Sequence, residues 1–165
     1  MKVRPAASAD LRAVAGVFLA CWRYAYPGVL ARDVLDSMDE EAAHDLWRAA
    51  LGSSGARTEV AEKGESVVGV IRFGRDPDGR RRGHVFSLYV HPSASGSGIG
   101  GALLERAEAW FRSQGLREAT LWVFEANVAA RRFYAQHRWF PDGETRIEPQ
   151  FRAPEVRLRL PLGDG

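Results

Sequence analysis

The chain has 165 residues, enough for one domain with a sizeable core, and its 45% hydrophobic and 27% charged content is that of a globular protein rather than a disordered or fibrous one. Net charge is only +2, and the basic side is nearly all arginine, with Lys2 and Lys63 the sole lysines, so bulk electrostatics call for no nucleic-acid partner. The single cysteine, Cys21, excludes an internal disulfide and any all-cysteine metal site within one chain. No apolar run approaches the ~20 residues that span a bilayer, and the first residues lack a signal-type apolar segment. The expectation is a cytoplasmic protein with no membrane partner and no metal.

Residues 1–4 read as a short strand stopped by Pro5. Ser8 suits a helix N-cap, and Leu11, Val14, Phe18 and Cys21 follow at helical spacing, which predicts an amphipathic helix over 9–25. Tyr26, Pro27 and Gly28 end it. Two short helices are predicted over 31–38 and 40–51, then a Gly/Ser loop. Strands over 58–62, 66–75 and 83–91 are separated by a turn at Lys63, Gly64 and Glu65 and another at Asp76 to Gly79, so they form an antiparallel meander. Arg80, Arg81 and Arg82 read as a charged hairpin tip. A helix over 98–114 buries Ile99, Leu103, Leu104, Ala107, Trp110 and Phe111 and stops at Gly115, a C′ glycine. A strand over 119–124 and a helix over 127–137 follow. Trp139 and Phe140 begin a further strand that Pro141, Asp142 and Gly143 break. Residues 154–160 alternate apolar and charged side chains, the period of a half-buried strand. With no repeat or long linker, 1–165 reads as one α/β domain.

Residues 85–104, VFSLYVHPSASGSGIGGALL, carry the strongest functional signal. An apolar strand ends at His91 and Pro92, and a glycine-rich turn leads into a helix whose first turn is nearly bare of side chains. Such a turn exposes backbone N–H groups at a helix N-terminus, a site for phosphate. Gly96, Gly98 and Gly101 match G-x-G-x-x-G, but they start some residues after the strand and follow an antiparallel meander, which disfavours a dinucleotide fold. A turn that merely allows close helix packing is the plain alternative.

A second motif decides between these readings. Glu125-Ala126-Asn127-Val128-Ala129-Ala130-Arg131-Arg132-Phe133-Tyr134 follows a strand and opens a helix. The two motifs, in this order, resemble the GNAT superfamily of acetyl-CoA-dependent N-acetyltransferases, and the resemblance extends over nearly the whole chain. It implies an α/β (α+β) fold with a mixed, mostly antiparallel sheet of about seven strands, splayed at the CoA site, with helices on both faces. It further implies acetyl-CoA as cosubstrate and an N-acetyltransferase that uses direct attack by a primary amine, of a small molecule or a peptide, in a ternary complex. By motif position, Ser95, Gly96, Ser97, Gly98, Ile99 and Gly100 would hold the CoA pyrophosphate, and Leu88, Tyr89 and Val90 the pantetheine arm. Relatives usually place Gln or Arg at Ser95 and often a basic residue at Ser97. Here backbone amides, hydroxyls and the helix dipole act without an adjacent cation, unless Arg131 or Arg132 supplies one instead of forming a solvated face.

Tyr134 matches the family tyrosine that protonates the leaving thiolate; alternatively it packs beside Phe133. Asn127 suits both a pantetheine contact and an N-cap. His84 stands about where many relatives carry a glutamate, so it is a candidate base, or else a surface residue. His91 and His137 read as structural. The oxyanion donor is expected to be a backbone N–H near Tyr89 or Val90. Trp22, Tyr24 and Tyr26 fall where the family walls its acceptor pocket, or else anchor the core, with Trp22 and Tyr26 the substrate candidates. Cys21 reads as a small buried hydrophobe rather than an acyl carrier. Arg138 stands where relatives have glycine. The other functional reading is a non-catalytic acyl-CoA-binding sensor or interaction module, which Ser95 and Ser97 support and Asn127 with Tyr134 opposes. A homodimer stays open as the assembly.

Overall fold

The computed structural model describes residues 1–79 and 81–163; Arg80, part of the expected hairpin tip, lies outside the described residues. Seven strands form one sheet in the order β1-β2-β3-β4-β5-β7-β6. They are β1 (Lys2–Pro5), β2 (Arg57–Lys63), β3 (Ser66–Arg75), β4 (Arg82–Val90), β5 (Glu118–Phe124), β6 (Phe140–Glu148) and β7 (Ala153–Pro161). The five helices are α1 (Leu11–Ala25), α2 (Arg32–Ser37), α3 (Glu40–Gly52), α4 (Ile99–Ser113) and α5 (Val128–Gln136). Every strand pairing is antiparallel except β4 with β5. The meander of β2, β3 and β4, the mixed sheet and the α/β class thus match the expectation.

Alternation along the strands sends side chains to two cores. Val60 and Val70 join Phe18, Trp22 and Trp47 under α1 and α3. Ala61, Ile71 and Phe73 join Leu103, Ala107 and Phe111 under α4. Gly83 is small for a packing reason, since a Cβ there would stand 2.5 Å from the Phe111 ring. A buried hydrogen bond from Trp139 Nε1 to Glu108 Oε1, 3.2 Å, ties the entry of β6 to α4.

The break expected at Pro141 does not occur: β6 runs through it, with its register against β7 shifting between Pro141 and Thr145. Since β6 is the sheet's edge, Pro141 costs it no internal ladder bond, and the extra residues are absorbed as a bulge.

Two helices end in the same way with different residues. In α4 the N–H of Leu116 donates to Phe111 O and that of Gly115 to Arg112 O, with Gly115 at φ 67°. In α5 the N–H of Trp139 donates to Tyr134 O and that of Arg138 to Ala135 O, with Arg138 also at φ 67°. Both are Schellman ends, and glycine occupies the left-handed position at no steric cost while arginine does not. Arg138→Gly is therefore expected to stabilise the fold by about 1 kcal/mol, read as a higher urea midpoint at unchanged m-value.

Candidate active site

The site begins at the end of β4. Pro92–Ala94 form a 3-10 turn that His91 caps, its Nδ1 accepting from the Ser93 N–H at 3.2 Å. Gly96 and Gly98 then adopt φ 74° and 81°, and α4 starts at Ile99. Among the described residues nothing accepts a hydrogen bond from the N–H groups of Gly96 to Gly101. A helix start leaves such donors free, and here they face a groove of about 710 Å³. Gly100 and Gly101 let α5 approach: a Cβ would stand 2.9 Å from the Phe133 ring at Gly100 and 2.8 Å from the His137 ring at Gly101. Ile99 turns inward and is buried in the core beneath α4.

The groove lining contains no lysine or arginine among the described residues; His137 is its one basic side chain. The Ser97 hydroxyl donates to Ala94 O at 2.5 Å, bracing the turn, while Ser95 is exposed. Arg131 donates to Glu125 O at 3.1 Å and Arg132 is exposed, and neither lines the groove.

Behind the groove the sheet opens. The β4–β5 ladder runs from Arg82↔Glu118 to Val85↔Leu121 and stops. There β4 carries a bulge, since Arg72 faces Ser87 and Phe73 faces Val85, leaving Phe86 unmatched. The extra residue flips the alternation. Val85 joins the core under α4, as do Leu88 and Val90, whereas Tyr89 turns to the α1 side. The His91 N–H donates back to Val68 O at 2.8 Å, so by alternation the N–H and C=O groups of Leu88 and Val90 point into the opening. Val90 O already accepts from the Cys21 thiol at 2.9 Å. Burial pushes that thiol up to about 11, which keeps it protonated and inert.

On the far side of the opening lies a cleft of about 420 Å³. Groove and cleft share Cys21, Ala25, Leu88, Val90, Asn127, Ala130 and Tyr134 as walls, so the two hollows meet there. Asn127 caps α5 through Oδ1, which accepts from the Ala130 N–H at 3.1 Å. Tyr134 is buried, and burial raises its phenol pKa. Tyr89 is pushed up to about 12, and Tyr26 beside it is raised as well, both chiefly by burial. Trp22 and Tyr26 line the cleft and are also core anchors, the Trp22 indole donating to Leu35 O at 3.2 Å. Tyr24 is exposed and belongs to the groove instead.

His84 is brought to neither hollow. It precedes the bulge, and its Nδ1 shares a hydrogen bond with Thr120 Oγ1 at 2.9 Å, with Asp76 Oδ2 4.0 Å away. Burial, with Arg146, Arg82 and Arg157 nearby, pulls its pKa down to about 4 against the attraction of Asp76. The ring is thus kept neutral and held by a threonine of the neighbouring strand.

Sequence reasoning passed over the far wall of the cleft, formed by Phe86, Trp122, Arg146, Glu148, Phe151 and Glu155. Phe86 supports the Arg72 guanidinium at 5.1 Å, and Arg72 Nε is buried with no hydrogen-bond partner among the described residues. The alternation of 154–160 marked Glu155 as facing away from the apolar side; only the signal that this face is concave was missing.

The His84 pKa carries a stability signature. The unfolded chain takes up the proton near 6.5 and the folded chain only near 4, so stability is full above 6.5 and falls as pH drops toward 4. His84→Gln is expected to remove roughly 3 kcal/mol of that acid-side decline, measured by urea unfolding across the window.

Comparison with known proteins fits this geometry. Residues 19–138 match the model of the Acetyltransferase (GNAT) family. A protein of Mycobacterium tuberculosis described as a probable N-acetyltransferase is 30% identical over 147 residues, covering 88% of this chain and 83% of that protein. The PaiA N-acetyltransferase of Thermoplasma acidophilum, solved in complex with coenzyme A, shares the fold at TM-score 0.75 and 17% identity, over 97% of this chain and 98% of that one. YncA of Salmonella typhimurium, solved with its cofactor acetyl-CoA, does so at TM-score 0.73 and 23% identity, over 100% and 95%. With its opened sheet, amide-rich turn and matching family model, the chain belongs to the acetyltransferase (GNAT) family and is an acyltransferase.

Proposed function

We propose that this acyltransferase moves an acetyl group from acetyl-CoA to a primary amine by direct attack, with both substrates bound at once. The observation that carries the reading is the meeting of groove and cleft at Tyr134, inside the opening between β4 and β5. Two substrates can enter from opposite sides and meet there, with no need for an enzyme-bound acyl group.

The groove suits CoA on its own chemistry. Gly96, Ser97, Gly98, Ile99 and Gly100 offer the pyrophosphate N–H groups that are unpaired among the described residues, at a helix start where the dipole favours an anion, and Ser95, whose own N–H donates to Pro92 O, adds its exposed hydroxyl. The edge of β4 at Leu88, Tyr89 and Val90 offers amide-bearing pantetheine a strand to pair with, and Asn127 stands beside it. Acetyl-CoA brings a thioester, an activated acyl group whose leaving group is a thiolate.

The chain's residues then divide the work. The Val90 N–H, turned into the opening, donates to the carbonyl oxygen as negative charge develops on it. Tyr134, kept protonated by burial, gives its proton to the departing sulfur. Trp22 and Tyr26 form the apolar wall against which the acceptor lies.

Tyr134→Phe is expected to lower kcat by ~10²–10⁴ while leaving CoA affinity nearly unchanged, read by thiol release alongside calorimetry. Near-normal kcat would remove the assignment. Because the turn lacks an adjacent cation, Ser95→Arg is expected to tighten CoA binding by about tenfold at low salt, with the gain shrinking as salt is added.

A further inference from the structure

Glu155 is the buried carboxylate of the acceptor cleft. It lies on β7 opposite Phe124, the last residue of β5, and is only 7% exposed. Its Oε2 accepts from Arg146 Nε at 2.6 Å, and no group among the described residues bonds its Oε1. The Arg146 guanidinium itself lies over the Trp122 ring, its Cζ 4.3 Å from the ring centre, so the pair is braced from behind.

The charges around it are unbalanced in a telling direction. The charged side chains lining the cleft are Arg146, Glu148 and Glu155, one positive against two negative. Glu148 spends Oε2 on the Phe151 N–H. The other titratable group felt here is the Tyr89 phenol across the opening on β4, whose ionisation the Glu155 charge opposes. Burial and Glu148 raise the Glu155 pKa, and Arg146 only partly offsets them. A desolvated carboxylate with one free oxygen, in a cleft of net negative charge walled by Phe124 and Phe151, complements a cation on an apolar stem.

We infer that Glu155 is the acceptor-binding residue of this enzyme: its free Oε1 binds the incoming ammonium and takes one of its protons, and the cleft selects primary amines carried on an apolar stem. The inference rests on the acetyl-transfer reading above. The proton balance closes. R–NH3+ gives one proton to Glu155 and becomes the neutral nucleophile. The C–N bond forms as the C–S bond breaks, Tyr134 protonates the thiolate, and the nitrogen's second proton restores Tyr134. Glu155 passes its proton to solvent, so R–NH3+ and acetyl-CoA yield the amide, CoA–SH and one H+.

The test is calorimetric titration of the CoA-loaded protein with phenethylamine and with its neutral isostere 2-phenylethanol. The amine is expected to bind about tenfold or more tightly than the alcohol. Glu155→Gln should erase that preference while CoA affinity stays at the wild-type value, and Glu155→Asp should restore part of it. Equal affinity for the two compounds, no binding of either, or a preference that survives in Glu155→Gln would each overturn the assignment, and the wild-type comparison decides even where a variant does not fold. Thiol release reports separately on acetyl transfer: an ammonium preference without turnover of any amine would count against the reaction and not against the site.

Discussion

Everything this molecule can do depends on a parallel pairing that stops early. β4 and β5 are joined only through Val85↔Leu121, and past that point each strand is held solely by its outer neighbour. An open edge inside a sheet leaves backbone donors and acceptors unsatisfied, which is costly unless something else pairs with them. The bulge at Phe86 fixes where the opening starts and which side chains face it. Without it Leu88 and Val90 would exchange faces with Tyr89, and the apolar packing of β4 on α4 would be lost.

The same end of β4 feeds the glycine turn, so the two recognition elements are rigidly coupled. Gly96 and Gly98 take the left-handed backbone that aims the amides, and Gly100 and Gly101 are small because α5 lies against them. That contact sets α5, which carries Tyr134 and Asn127, directly over the opening. The turn therefore does more than present donors: its lack of side chains is what allows the helix that carries Tyr134 to come close. Its weakness is electrostatic, for neither Arg131 nor Arg132 reaches the groove.

Much of this was legible in the residues. Periodicity marks the helices and strands, Gly115 a helix end and Asn127 a helix start, and Arg138 stands out at a glycine position, where the backbone is in fact left-handed. The glycine turn followed by Asn127 and Tyr134 identified the family and the fold. The third dimension overturned one reading and placed the residue of another away from both hollows. Pro141 does not break its strand, because edge position cannot be read from a segment alone. His84 lies at the expected position on β4 but before the bulge, bonded to Thr120 and lining neither hollow.

The sequence by itself determined the local structure: which segments are helix or strand, where the backbone must turn left-handed, and where helix amides are left free. These follow from side-chain period and from the conformational range of glycine, proline and asparagine, which neighbouring residues decide. Tertiary structure alone decided that β4 and β5 part after Val85, that one face of β7 borders a cleft and not solvent, and that Glu155 stands there with a free oxygen. Alternation tells which side chains share a face of a strand, but what covers that face depends on segments far away in the chain, and so does the pKa of any carboxylate placed on it.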